Sequence, residues 1–404
     1  MLVEFTFENF KCYKDETALS MVPAQVSEHA ETLVAAMNGR ELLPVSVIYG
    51  PNGGGKSSVL QAFDCMQSIV TWPYYLMRRE VKKLPEIACE PYAFDEASNK
   101  EPSTFCVVFE TGEHIYQYII SVLGGRVIEE YLHRRKPGKG ATATLFERSD
   151  GAIVLGPSLR RKKVSTEIDA MMPYLSYLAI NHDFEPIEEA FGWLRSCHVL
   201  DYSVPYLEEY VIEPPDEREK RRIIGMLNGM GIDVTDIRYE HDDEGKLDSV
   251  FLTHGAGMGR DLELEEESSG TKKLMNLVPA VIMALERGNL VVSDELDAKL
   301  HPKLLKYLIR LFTDRRANPK GAQLVFTSHD MSTLNSAVFR RDEIRFAAKT
   351  EEGPSTLWAL SDIVDIDGKR IRPQNAYDRQ YLEGRYGADP YLMSMLDWDD
   401  SDEQ

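Results

Sequence analysis

The sequence predicts an α/β fold whose core is a mixed, largely parallel sheet, with antiparallel strands at the N-terminus, and three observations predict it. The apolar run Val45-Ser46-Val47-Ile48-Tyr49 leads into Gly50-Pro51-Asn52-Gly53-Gly54-Gly55-Lys56-Ser57 and then Ser58-Val59-Leu60-Gln61-Ala62-Phe63, so a strand, a glycine loop and a helix follow in succession. Two further runs rich in Val and Leu, Leu290 to Asp294 and Gln323 to Thr327, end in polar groups. Buried parallel strands with a site at their carboxyl edge have that pattern. At the start, Leu2-Val3-Glu4-Phe5-Thr6-Phe7 alternates as a half-exposed strand does, before a turn at Glu8-Asn9.

The remaining elements follow in order. Ser103 to Glu110 and His114 to Val122 read as strands around Thr111-Gly112-Glu113, a hairpin. From residue 125 the character changes: Pro137-Gly138-Lys139-Gly140 is followed by helical stretches at Glu167 to Ile180, Pro186 to Ser196 and Pro215 to Met230. Strands resume at Val234 to Tyr239 and Ser249 to Thr253, and a polar turn, Ser268-Ser269-Gly270-Thr271-Lys272-Lys273, enters the apolar helix Leu274 to Leu285. The chain is therefore divided into four parts. Residues 1–124 form the first part of a head domain, 125–233 a mainly helical insertion or lid, 234–365 the second part of the head, and 366–404 a C-terminal tail.

A length of 404 residues accommodates one large α/β domain with insertions, or two domains, and either buries an ample core. With 43% hydrophobic and 28% charged residues the composition is that of a globular protein. No apolar run reaches about 18 residues and no basic-then-apolar leader opens the chain, so a cytoplasmic protein with no membrane segment is expected. Cys12, Cys65, Cys89, Cys106 and Cys197 have no paired spacing and are expected as core thiols in a reducing compartment. A formal charge of −20 argues against a broad DNA-binding face. Three basic runs stand against that balance: His133 to Lys136, Arg160 to Lys163, and Glu217 to Arg222. Such runs are read as solvated faces or as a local binding surface. Asp397 to Gln404 reads as a solvated acidic tail.

The chemistry follows from the glycine loop. Backbone N–H groups of Asn52, Gly53, Gly54 and Gly55 can converge on phosphate oxygens, helped by the helix start at Ser57 and Ser58. Lys56 would neutralise the β- and γ-phosphates, and Ser57 would take one Mg²⁺ position, with Asp294 holding the ion through water. Glu295 is placed to accept a proton from the attacking water, and His329 to hydrogen-bond the γ-phosphate. Taken singly, an Asp-Glu pair ending a strand is ordinary and a lone His is structural. Their order after a sound phosphate loop gives them a shared purpose.

That order resembles the ABC-type P-loop ATPase head of SMC, RecF and OLD-like proteins. Within that superfamily the chain is most similar to the RloA-like ATPases of phage-defence, or abortive-infection, systems. The residues that carry the resemblance are Phe7-Glu8-Asn9-Phe10-Lys11, Glu267-Ser268-Ser269-Gly270-Thr271, Asp294-Glu295-Leu296-Asp297-Ala298-Lys299-Leu300-His301-Pro302 and Tyr381-Leu382-Glu383-Gly384-Arg385-Tyr386-Gly387-Ala388. The resemblance covers about residues 1–120 and 235–390; the insertion is placed by position alone. It implies an ATPase using ATP and Mg²⁺ as a homodimer, in which Ser268 and Gly270 of one chain reach the ATP held by Lys56 of the other. Lys11 matches the basic residue that SMC-like heads send toward phosphate, and reads equally as a solvated lysine.

Three departures stand out. The signature has Ser269 where the family has glycine, His301 occupies the place of the D-loop aspartate, and neither Gln61 nor Gln67 sits where a glutamine lid belongs. Residues 345–404 are too short for the Toprim metal domain of OLD-like nucleases, so the resemblance implies a separate effector, a Toprim-like nuclease or a comparable protein. The expected function is a sensor or switch in phage defence. The competing reading is a RecF- or SMC-like DNA-repair or DNA-end-binding ATPase that uses the basic runs. A transporter head lacks support, because no coupling-helix partner or membrane segment is present.

Overall fold

The computed structural model describes residues 1–78, 86–138, 140–202, 213–243, 245, 247–255, 259–364, 371 and 376–388. The strands are β1 (Leu2–Glu8), β2 (Thr17–Ser20), β3 (Val34–Ala35), β4 (Glu41–Leu42), β5 (Val45–Tyr49), β6 (Ser103–Thr111), β7 (His114–Leu123), β8 (Arg126–Arg135), β9 (Ala143–Ser149), β10 (Ala152–Leu155), β11 (His198–Asp201), β12 (Val234–His241), β13 (Leu247–His254), β14 (Arg260–Glu263), β15 (Leu290–Asp294), β16 (Gln323–Thr327), β17 (Ile344–Lys349) and β18 (Ser355–Ala359). The helices are α1 (Lys56–Arg78), α2 (Pro157–Arg160), α3 (Tyr174–Asn181), α4 (Glu185–Ser196), α5 (Glu217–Gly229), α6 (Ser269–Arg287), α7 (Pro302–Thr313) and α8 (Tyr377–Leu382).

Two large sheets organise the chain. A six-stranded sheet runs β11-β15-β16-β5-β17-β18, parallel except for the last pair, and a seven-stranded antiparallel sheet runs β10-β9-β8-β7-β6-β1-β2. In the parallel sheet alternate side chains face opposite ways, as the pleat requires. Ile48, Val292 and Val325 point toward α1 and the antiparallel sheet, in a core that includes Phe5, Phe63, Phe105 and Phe109. Val47, Val291, Leu324 and Phe346 point the other way, onto α6 and α7. Both faces are thus covered, which accounts for the unbroken burial of β5 and β15 and their largely apolar sequences.

The expected fold class is found: an α/β protein with a parallel core and N-terminal antiparallel strands. Residues 125–233, expected as a mainly helical insertion, differ from that reading. Helices α3, α4 and α5 lie close to the predicted stretches, but β8, β9 and β10 extend the antiparallel sheet and β11 forms the edge of the parallel one. The segment is woven into both sheets. Helix α3 is fastened by Glu130 of β8, a fully buried carboxylate that accepts the N–H groups of Tyr174 and Leu175 at its start and the Tyr118 hydroxyl. Burial drives the Glu130 pKa up, against those hydrogen bonds and Arg148. On α4, Trp193 stacks on Phe109 at 4.1 Å.

The described part of the expected tail also packs. Tyr381 of α8 stacks on Phe346 of β17 at 5.5 Å, and the Trp358 indole donates to the Tyr386 carbonyl. The acidic residues Asp397 to Gln404 lie outside the described residues.

Candidate functional site

The carboxyl ends of the parallel strands meet at one edge. The registers Asp201 with Asp294, Ser293 with Phe326, and Thr327 with Ile48 bring β11, β15, β16 and β5 to an end side by side. At that edge β5 gives way to the glycine loop and α1. Gly50 must be glycine: a Cβ there would lie 2.0 Å from the Ala347 carbonyl oxygen of β17. Gly53 has φ +73°, the left-handed region that a side chain disfavours. Below the loop, the Tyr13 hydroxyl donates to the Gly55 carbonyl at 3.2 Å and the Cys12 thiol to the Ser58 hydroxyl at 3.3 Å.

Lys56 is only 6% exposed, and its ammonium donates to the carbonyls of Gly50 at 2.9 Å and Pro51 at 3.1 Å. Burial lowers its pKa, while Asp294, Glu295 and Asp297 act in the opposite direction. The loop cation therefore faces the carboxylates of the next strand but one. Asp294 is 3% exposed; one of its oxygens accepts the Thr327 hydroxyl, and the other, Oδ2, is buried without a hydrogen-bond partner. A buried carboxylate oxygen left unmatched is costly unless something fills the place. A magnesium ion, which takes one or two carboxylates, a hydroxyl, waters and phosphate oxygens, fits this donor set of Asp294 and Ser57.

Glu295 follows with φ +47°, a left-handed backbone on a non-glycine residue. Its N–H donates to the Thr327 hydroxyl at 2.7 Å, so one threonine orients both carboxylate residues. The Glu295 and Ala298 carbonyls accept the buried Lys273 ammonium of α6 at 2.6 and 2.9 Å. Asp297 in the same loop takes the main-chain N–H of His329 on both carboxylate oxygens, at 3.2 and 3.1 Å, and His329 itself is exposed.

The signature turn stands apart in kind. Ser268 caps α6, its hydroxyl accepting the Thr271 N–H at 3.2 Å, and Ser268 and Ser269 are exposed. Gly270 lies against the loop that follows Glu295, where a Cβ would sit 3.1 Å from the Lys299 carbonyl. His301, at the D-loop position, caps α7 by accepting the Lys303 N–H on Nδ1. Lys11 lies along α1, its ammonium donating to Gln61 at 2.9 Å. Gln67 is structural, bonding the Leu194 and Cys197 carbonyls.

Sequence reasoning missed Thr327, Asp297, Tyr13 and Lys273, and did not place Asp201 beside Asp294. Thr327 carried a signal, a small polar residue closing an apolar strand two residues before His329. The others act through long-range contacts that no local spacing announces. Of the five cysteines Cys197 is buried, and Cys12, Cys65, Cys89 and Cys106, expected as core thiols, are half-buried.

Among solved structures the chain is similar to an Smc head bound to the C-winged helix domain of ScpA, with 12% identity over 89% of this chain and 97% of that one and a TM-score of 0.46. The SMC head domain from Thermotoga maritima gives 14% identity over 89% and 98%, with a TM-score of 0.40. An Smc head from Pyrococcus furiosus with an extended coiled coil, bound to the C-terminal domain of ScpA, gives 13% over 89% and 96%, with a TM-score of 0.41. No curated protein matches the chain in sequence. No helix among the described residues is long and apolar enough to cross a membrane. The sequence profile described as "AAA domain, putative AbiEii toxin, Type IV TA system" matches residues 45–335, well over half the chain and the whole span from the glycine loop past His329. The chain belongs to that AAA-domain family.

Proposed function

We propose that this protein binds and hydrolyses ATP, dimerises on it, and acts as the sensor or switch of a phage-defence system that controls a separate effector, a Toprim-like nuclease or a comparable protein. The observation that carries the hydrolytic part is the sheet edge itself: the glycine loop, the unmatched oxygen of Asp294 and the Thr327-oriented Glu295 lie at the ends of β5, β15 and β16. Loop N–H groups of Asn52 to Ser58 and the Lys56 ammonium bind the triphosphate; Ser57 and Asp294 would hold Mg²⁺, which supplies charge neutralisation between the phosphates. Glu295 takes the proton of the attacking water, and His329, hung from Asp297 by its backbone, reports on the γ-phosphate.

The family description, which names a toxin and a toxin–antitoxin system, supports a defence setting. So does the fate of the basic run on α5. Lys220 pairs with Asp236 at 2.7 Å, and Arg222 pairs with Glu286. One observation favours the DNA-repair reading: Arg160, Arg161, Lys162 and Lys163 are all exposed.

A single variant tests the first reading. Glu295→Gln is expected to retain ATP, lose hydrolysis by about a hundredfold or more, and accumulate as dimer. Hydrolysis at the wild-type rate removes Glu295 as the base. The trapped dimer also decides between the readings, since tight, steeply salt-dependent binding of duplex DNA, lost on reversing the charges of residues 160–163, would replace defence with repair.

A further inference from the structure

We propose that Lys273 is a positioning residue for the proton acceptor: from helix α6 it holds the left-handed turn that begins at Glu295, and so sets where that carboxylate stands. The inference rests on the function proposed above, in which Glu295 takes the proton of the attacking water. Lys273 lies on α6 just beyond the serine turn, and it is only 1% exposed. Its ammonium donates to the Glu295 carbonyl at 2.6 Å and to the Ala298 carbonyl at 2.9 Å. A surface lysine keeps its charge in water; this one directs it at two main-chain oxygens of a single loop.

The turn needs such a hold. Glu295 has φ +47° and Lys299 φ +62°, so the loop opens and closes on non-glycine residues in the left-handed region. That arrangement persists only where the surroundings fix it. Within the loop the Ala298 N–H donates back to the Glu295 carbonyl at 3.0 Å, and the Leu300 N–H to the Asp297 carbonyl at 3.0 Å. From the sheet side, Thr327 takes the Glu295 N–H on its hydroxyl at 2.7 Å and the Leu296 N–H on its carbonyl at 3.2 Å. Those last two bonds fix the N–H side of the turn, and Lys273 fixes the carbonyl side. With both its N–H and its C=O tied, Glu295 has its backbone dihedrals set, and with them the direction in which its side chain leaves the chain.

The lysine is itself well seated. Its ammonium lies 4.1 Å from the centre of the Tyr202 ring, a cation over an aromatic face, and the Tyr202 hydroxyl donates to the Asn276 side chain of α6 at 3.3 Å. Nearer the start of α6, Gly270 leaves room for the Lys299 carbonyl, which a Cβ would meet at 3.1 Å. The first turns of α6 therefore meet the loop at Glu295, Ala298 and Lys299, and the two are held as one piece. A methionine at position 273 would keep the volume of the stem and remove both hydrogen bonds.

The test is a double-mutant cycle on the full-length chain with Lys273→Met and Glu295→Gln, read by ATP binding, hydrolysis and hydrogen exchange. Lys273→Met is expected to bind ATP within about twofold of wild type and to hydrolyse it at least about tenfold more slowly, so that kcat falls while KM holds. In the Glu295→Gln background the same change should lower the rate by less than about twofold, because a misplaced acceptor and a missing one are the same loss. Losses that multiply would overturn the proposal, since a lysine that only supports the fold slows the reaction with or without Glu295. Hydrogen exchange reads the turn without any ATPase assay: the amides of Glu295, Leu296 and Ala298 should exchange at least about tenfold faster in Lys273→Met, with β15 and the rest of α6 unchanged. Wild-type exchange at those amides would also overturn it. If the methionine variant does not fold, Lys273→Gln, neutral and on a shorter stem, takes its place, and wild-type exchange there counts equally against Lys273. A wild-type rate in Glu295→Gln would instead remove the acceptor itself, and exchange would still decide whether Lys273 holds the turn.

Discussion

The glycine loop at residues 50–57 and the serine turn at residues 268–271 each open a long helix, and they differ in what surrounds them. The glycine loop is enclosed: β17 presses on Gly50, Tyr13 and Cys12 support it from below, and Lys56 is turned toward the carboxylates of its own chain. The serine turn rests on its own helix and on the loop after Glu295, and Ser268 and Ser269 face solvent. Both expose helix N–H groups, which suit an anion. On the function proposed above, the first would position a triphosphate unaided, and the second would present half of a binding surface that the proposed dimer completes.

The largest expected effect falls on the enclosed loop. Lys56→Ala removes the charge that neutralises the phosphates, so ATP affinity of each chain should drop about a hundredfold or more by calorimetry. Binding at wild-type strength would show that the loop does not hold the phosphates. Next comes the open turn. Ser268→Arg should leave single-chain ATP binding intact while abolishing ATP-dependent dimerisation in sedimentation. Mixed with Lys56→Ala chains, it should recover part of the ATPase activity, because each heterodimer then carries one intact composite site. No recovery at any ratio, with heterodimers shown to form, would place the signature's work within its own chain.

The smallest effect concerns the framework under the loop. Glu343 is fully buried before β17 and its carbonyl accepts the Val47 N–H of β5; one carboxylate oxygen has no partner. Burial pushes its pKa up to about 8. The folded chain thus holds a proton that the unfolded chain releases at ordinary carboxylate pH. Stability from this group is full below about pH 4.5 and is lost as pH rises to about 8. Glu343→Gln should remove that decline, making the variant more stable than wild type by up to about 4 kcal/mol at pH 8 in urea unfolding. Equal pH dependence in both proteins would show that Glu343 ionises freely in the folded state.

The same contrast explains what the sequence disclosed. The glycine loop was legible because its chemistry is local: strand, turn and helix lie within about twenty consecutive residues. Asp294, Glu295 and His329 were legible because each ends or follows a strongly apolar run. The Thr327 bridge between Asp294 and Glu295 was not, since it joins positions 33 apart through a sheet register. Strands β9 and β10 were missed because Ala143–Ser149 and Ala152–Leu155 have mixed polarity, and β9 is stabilised by pairing to β8, and β10, at the sheet edge, by pairing to β9, not by their own pattern.

One feature of the topology bears on how the chain is made. Strand β5, which feeds the glycine loop, pairs with β16 on one side and β17 on the other, and both come from residues beyond 320. A ribosome that has completed the loop and even the whole antiparallel sheet has not yet made either neighbour of β5. The nascent N-terminal part therefore cannot bury Val45, Val47 or Tyr49, nor set Ala347 against Gly50. Such pairing across most of the chain closes late and slowly. Assembly of the loop's surroundings is in this way deferred until the C-terminal strands emerge, and a truncated product ending before them is left with the motif but no cradle for it.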